Sequence, residues 1–137
     1  MKNNKGFTLV EVVIVLTVMA LLAVAALPRV ISIITQAKKG SADNIVAAVR
    51  EGIFLQKISS ISEANPLGSY PAVLDAAATA DCAVGNECFT NVLEAGQDIS
   101  DSRWNKASAT TYTVDNLTRT YTYTNTNGTF LCSGADC

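Results

Sequence analysis

Hydrophobic and polar residues fall into three patterns along the chain. From Phe7 to Leu27, 21 residues run with only Thr8, Glu11 and Thr17 as clearly polar members. A helix of that length rises about 30 Å, enough to cross the hydrocarbon core of a bilayer. The six residues before it, Met1 to Gly6, are polar and carry Lys2 and Lys5. Lysines on that side put the N-terminus in the cytoplasm and the rest of the chain outside it. Beyond Pro28 the pattern changes. Val30, Ile34, Ala37, Ala42, Ile45, Val46, Val49, Ile53 and Ile58 recur at spacings near three and four. That is the stripe of an amphipathic helix reaching about Ile61. Lys38, Lys39, Asp43, Arg50, Glu51 and Lys57 fall mostly off it. Gly40 and Gly52 each weaken a helix by about 1 kcal/mol relative to Ala. Ser59-Ser60 and the Asn65-Pro66 step end it. The expectation is one helix of about 80 Å from Phe7 to Ile61, with a globular head packed on the stripe of its second half.

The third pattern is alternation, within residues 62–137. Thr111 to Val114, Thr120 to Thr124 and Thr129 to Cys132 read as strands. Asp115-Asn116 and Asn127-Gly128 read as turns. With Asn127-Gly128 as a two-residue turn, Thr126 faces Thr129 and Tyr123 faces Cys132. Tyr121, Tyr123, Phe130 and Cys132 then share a face that covers the helix stripe, and the threonines face solvent. Leu67 to Pro71 reads as loop, and the Ala-rich stretch from Pro71 to Ala80 as a short helix. The fold class expected is α+β: a long N-terminal helix, transmembrane in its first half, packed by a small antiparallel sheet of three or four strands.

Composition narrows the chemistry. The chain lacks histidine, which removes His-based triads and most zinc sites. A net charge of -2 gives no basis for a nucleic-acid site. Cys82, Cys88, Cys132 and Cys137 all lie in the second half. An even number behind an export-type segment reads as two disulfides in an oxidising compartment. Local pairing within 82–88 and within 132–137 is preferred, and the two crossed pairings stay open. With no C-x-x-C, neither zinc binding nor thiol redox chemistry is expected. Asp98, Asp101 and Asp115 lack calcium-ligand spacing and read as solvated loop carboxylates. Asn116-Leu117-Thr118 and Asn127-Gly128-Thr129 match a glycosylation pattern but read as turn residues. No nucleophile–base pair or phosphate loop stands out, so the chain reads as non-enzymatic, with no metal and no cofactor.

Glu11 is the residue that the apolar run does not explain. A carboxylate is costly to place in lipid, and the attraction of a helix N-terminus for an anion offsets only part of that cost. The sequence offers no basic residue between Phe7 and Leu27. The counter-charge must come from another chain or from a free N-terminus. A plain anchor or a signal peptide cleaved near Ala25 or Ala26 gains nothing from this acid.

Gly6-Phe7-Thr8-Leu9-Val10-Glu11, behind a short basic leader and ahead of an apolar run, resembles the processing motif of the type IV pilin and type II secretion pseudopilin family. The resemblance implies a leader over 1–6, cleavage between Gly6 and Phe7, and N-methylation of Phe7 by a prepilin peptidase. It implies a transmembrane and filament-core helix over 7–27, an amphipathic continuation over 28–61, and a disulfide-bonded head over 62–137. Glu11 becomes the fifth residue of the mature chain. There it is placed to pair with the α-ammonium of Phe7 on a neighbouring copy, as a registry device. Pro28 takes the family's position for a kink or local melt rather than a helix stop. The C-terminal cysteines resemble the bridge that closes many type IV pilins.

The function implied is a structural subunit of a pilus-like filament, serving adhesion, twitching motility or DNA uptake. The alternatives are a type II secretion pseudopilin and, from another class, a secreted binding domain freed by signal peptidase. The implied partners are further copies of the chain, the peptidase, an inner-membrane assembly platform with its ATPase, and membrane lipid before assembly. The implied location is the bacterial inner membrane, single-pass with a periplasmic head, and then an extracellular or periplasmic filament.

Overall fold

The computed structural model describes residues 6–93, 99 and 103–137. It is α+β. One helix, α1, spans Leu9–Ser59, and four strands follow: β1 (Trp104–Lys106), β2 (Thr111–Val114), β3 (Thr120–Thr124) and β4 (Thr129–Ser133). The chain divides into two compact units, Met1–Lys39 and Gly40–Cys137.

In the first unit the helix is apolar on every side, and its large side chains from Leu9 to Ile34 are exposed. It is long and apolar enough to cross a membrane. Its few hydroxyls turn back onto the helix. Thr17 Oγ1 donates to the Ile14 carbonyl (2.8 Å), Ser32 Oγ to Arg29 (2.9 Å) and Thr35 Oγ1 to Ile31 (3.1 Å). A hydroxyl satisfied in this way costs little in an apolar medium.

The second unit holds the core. Ala42, Val46, Val49 and Ile53 are buried along one side of α1, at the i, i+4, i+7 and i+11 positions of a helical face. The buried stripe is therefore shorter than its apolar pattern suggests. Val30, Ile34 and Ala37 are exposed, because the residues that form the core all belong to the 40–137 unit, and Ile58, one residue before the end of α1, is exposed as well. Gly52 is buried in the same stripe, and a Cβ there would collide with the backbone carbonyl of Val92. Its cost in helix propensity is what permits that close approach. At Gly40, by contrast, a Cβ would meet open space.

The strands form one antiparallel sheet in the order β1-β2-β3-β4. Alternation sends Trp104, Tyr112, Val114, Tyr121, Tyr123 and Phe130 inward and Thr122 and Thr124 into solvent. The aromatic rings pack on one another and on Phe89. Phe89 and Tyr112 lie 4.5 Å apart between centroids, Phe89 and Trp104 5.5 Å, and Tyr121 and Phe130 5.4 Å.

The β3–β4 register differs from the two-residue turn expected. Thr124 pairs with Thr129, Tyr123 with Phe130 and Tyr121 with Cys132. The connection is therefore four residues long, 125–128. Asn127 Oδ1 accepts the N–H (3.2 Å) and hydroxyl (2.8 Å) of Thr129, while the Gly128 N–H reaches the Thr124 carbonyl (2.9 Å). Gly128 has φ of 68° and lies against the Tyr70 ring. The slip is two residues, so each side chain keeps its face, and Tyr121, Tyr123, Phe130 and Cys132 still point the same way.

The Pro71–Ala80 stretch is not a helix. Its groups bond to neighbouring chain instead. Tyr123 Oη donates to the Pro71 carbonyl (2.7 Å), Asn86 Oδ1 accepts the Ala78 N–H (2.7 Å), and the Lys106 N–H reaches the Ala80 carbonyl (2.9 Å). Asp75, 2% exposed, anchors this segment. Its carboxylate accepts from Lys106 Nζ (2.5 Å), Tyr112 Oη (2.7 Å), the Phe89 N–H (2.8 Å) and the Ala77 N–H (3.1 Å). Two arginines tie α1 to the sheet. Arg50 donates through Nε and Nη2 to the Phe130 carbonyl (3.0 and 2.8 Å), and Arg119 Nη1 donates to Asp43 (2.6 Å).

Two outcomes follow from this packing. Gly52→Ala destabilises the head by about 1–3 kcal/mol through overpacking, whereas Gly40→Ala stabilises it by up to about 1 kcal/mol. Urea unfolding of the detergent-solubilised chain, followed by Trp104 fluorescence, checks both signs. The second outcome concerns alkali. Burial pushes the Tyr112 hydroxyl far up, with the bond to Asp75 adding to it. Tyr123 is raised by burial and then by Tyr70. The unfolded chain releases these protons near pH 10 while the folded one holds them, so stability is full below that pH and falls as pH rises above it. Absorbance titration of phenolate should show Tyr112 and Tyr123 ionising only as the head unfolds.

Candidate functional site

The start of α1 is the site the sequence singles out. Gly6 lies just ahead of it. The fold makes no demand for glycine there. A Cβ at Gly6 would meet open space. Phe7 is 88% exposed. Thr8 is the N-cap, and Glu11 is the third residue of the helix.

Thr8 and Glu11 form a reciprocal cap. Thr8 Oγ1 accepts the Glu11 N–H (3.3 Å), and the Thr8 N–H donates to Glu11 Oε2 (2.8 Å). The Thr8 hydroxyl donates to the same oxygen at 2.8 Å. This is a capping box, in which two N–H groups left over at a helix start are satisfied by side chains. Phe7 and Val12 occupy the positions of a hydrophobic staple. With Glu11, Val15 and Leu16 they line an apolar hollow of about 260 Å³.

Glu11 thus has hydrogen-bond partners in its own chain, which its charge alone does not predict. The signal was present as Thr8-Leu9-Val10-Glu11, the S/T-x-x-E pattern of a helix start. What the box does not supply is a positive charge. It also lies wholly beyond the Gly6–Phe7 bond, so cutting that bond leaves the Thr8 amide and the cap intact.

Pro28 stands inside the helix, which continues past it to Ser59. Proline has no N–H for the carbonyl four residues back, so Val24 lacks its usual helical donor. Lys2 and Lys5, and also Asp98 and Asp101, lie outside the described residues. Asp115 is exposed, and among the described residues no cluster of side chains is suited to a metal ion.

The cysteines are joined locally. Cys82 pairs with Cys88 and Cys132 with Cys137, with Cα separations of 5.4 and 5.8 Å. The two bridges differ in surroundings. Cys82 and Cys88 are fully buried, while Cys132 is half-buried and Cys137 exposed. The C-terminal loop is fastened through Asp136. Its Oδ2 accepts from the Thr118 N–H (2.9 Å) and hydroxyl (2.6 Å), and its carbonyl from Arg119 Nε (2.7 Å).

Comparison with known proteins bears on the N-terminus alone. Residues 1–27 match the family model of the prokaryotic N-terminal methylation motif. That motif is the signature of type IV pilins and pseudopilins. The match takes in Gly6, Phe7 and Glu11 and stops one residue before Pro28. No curated protein and no solved structure matches the chain.

The contrast between the bridges gives a direct expectation. Under mild reduction of the folded protein, Cys132 and Cys137 become alkylated before Cys82 and Cys88, by at least about tenfold in rate, since exchange requires access to a sulfur. Peptide mapping of differentially alkylated protein measures the order.

Proposed function

We propose that this chain is a structural subunit of a type IV pilus-like filament, held in the inner membrane by α1 before assembly. The observation that carries this reading is the acid at position 11 in an otherwise apolar helix, at a fixed offset from a Gly6–Phe7 bond, within a matched methylation motif. The fold's indifference to Gly6 supports a role in recognition by a peptidase that needs a small residue before the cut. A prepilin peptidase then removes residues 1–6 and methylates Phe7. An assembly platform, driven by its ATPase, moves the subunit from lipid into the filament, with the head on the periplasmic side.

In this reading Glu11 has two tasks that differ in chemistry. Its hydrogen-bonding capacity closes the helix start within one subunit. Its charge attracts the α-ammonium that processing creates at Phe7, whose reference pKa is about 7.7–8.0. A buried charge is costly alone and is relieved by a partner, so the pair forms only when adjacent copies are correctly staggered. Pro28, which cannot donate to the Val24 carbonyl, marks where the helix has least resistance to bending on assembly.

A type II secretion pseudopilin is the second reading, because the same motif serves it. The bridged C-terminal loop favours the pilus. Loss of protein export on deletion, with no surface filament, would select the pseudopilin.

N-terminal sequencing of the mature protein tests the reading. It should start at methylated Phe7, and a start at Ala26 or Leu27 would mean release by signal peptidase instead. Glu11→Gln separates the two tasks, since glutamine also serves a capping box but carries no charge. The variant should be processed and retained in the membrane while filament yield, measured by shearing and electron microscopy, falls at least about tenfold, the worth of roughly 1.4 kcal/mol. Wild-type yield from Glu11→Gln would leave the acid with capping alone.

A further inference from the structure

Asp75 and Lys106 form an ion pair in the head that filament assembly leaves unused. Their side chains are 0% and 6% exposed, with Lys106 Nζ 2.5 Å from Asp75 Oδ1. They lie 31 residues apart in sequence. The Tyr112 ring lies 6.0 Å from Lys106 Nζ and packs in turn on Phe89. Taking two full charges out of water in this way is expensive, even when they are paired.

The two carboxyl oxygens have different surroundings. Oδ2 lies between two donors, the Tyr112 hydroxyl at 2.7 Å and the Phe89 N–H at 2.8 Å. Oδ1 faces the Lys106 nitrogen and the Ala77 N–H. Lys106 is held from its other side by the Ala77 carbonyl at 2.9 Å. One oxygen therefore sits where donors stabilise an oxyanion in acyl transfer. The amine nitrogen is fixed next to the same carboxyl group, which removes the entropy of bringing the reactants together.

We propose that Lys106 and Asp75 condense into an intramolecular amide, a covalent cross-link between the 75–80 segment and β1. In the first step a proton passes from Lys106 Nζ to Oδ1 within the pair, which frees the Nζ lone pair. The Nζ lone pair attacks Cγ, and negative charge builds on Oδ2 between the Tyr112 and Phe89 donors. The Cγ–Oδ1 bond then breaks, and Oδ1 departs as water with a second proton from Nζ. One ammonium and one carboxylate become one amide and one water, and the step balances without another reagent. In bulk water the hydrated ions are preferred. Here their hydration is already lost, so the reaction discharges a pair that the core otherwise carries at a cost. The bond would span the buried Cys82–Cys88 bridge and restrict the unfolded chain as a disulfide does.

The test is independent of processing and assembly. The full chain is purified, denatured, reduced, treated with an amine-acylating reagent and digested with trypsin. The expected result is a branched peptide joining the Asp75 and Lys106 segments, lighter than their sum by one water, with Nζ of Lys106 unacylated and no cleavage after it. Linear peptides with acylated Lys106 would overturn the proposal and leave an ordinary ion pair. Lys106→Arg keeps the positive charge but not the primary amine, so the branched peptide should vanish. A water deficit persisting at Asp75 in that variant would identify an internal imide instead and equally overturn the cross-link.

Discussion

A helix that leaves Leu9, Leu16, Leu21 and Ile31 uncovered has to find an apolar medium outside its own fold. Few soluble proteins expose a continuous apolar surface of that extent without a partner for it. Lipid meets the requirement for a single copy, and the same segment of other copies meets it in an assembly. The head has no such requirement, since its own sheet buries Ala42, Val46, Val49 and Ile53. The change from an all-round apolar helix to a one-sided one is therefore a change of solvent, written into one continuous element.

An apolar medium is unforgiving of unpaired backbone groups. The capping box answers this at the place where α1 has N–H groups left over, using Thr8 and Glu11. A neutral glutamine could also make those bonds, without the added attraction between an anion and the helix start. A full charge at this position therefore exceeds what hydrogen bonding alone requires of an isolated helix. The same reasoning applies at Gly6, where the backbone would accept a larger residue.

Local chemistry made the N-terminus legible. The Phe7–Leu27 run, the Gly6-Phe7 step and Glu11 are all written in one stretch of chain, whereas the cap at Thr8, equally local, is missed when Glu11 is read for its charge alone. Thr111–Val114 and Thr120–Thr124 were equally plain, because alternating Thr and Tyr suits a half-buried strand. The head's other features depend on distant partners. β1 is only Trp-Asn-Lys, and it becomes a strand by pairing with Val114, Thr113 and Tyr112. The alanines near 76–80 favour a helix by propensity, but burial of Asp75 beneath Lys106 and Tyr112 overrides it. Neither residue signals the other across 31 positions. The β3–β4 register turned on whether Asn127 bonds to Thr129 within a longer turn or takes part in a two-residue hairpin, and the Asn-Gly pair suits both.

The guanidinium of Arg50 on the Phe130 carbonyl has a consequence for the free edge of the sheet. β4 is the last strand of the sheet, and such a strand is a template for adding another chain's backbone. Arg50 occupies an acceptor on that margin, and at the opposite margin the N–H groups of Cys82 and Lys106 close residues 80–82 onto β1. Both margins of the sheet thus have fewer free backbone groups to offer a neighbouring chain, which lowers the tendency of such heads to fuse through their sheets.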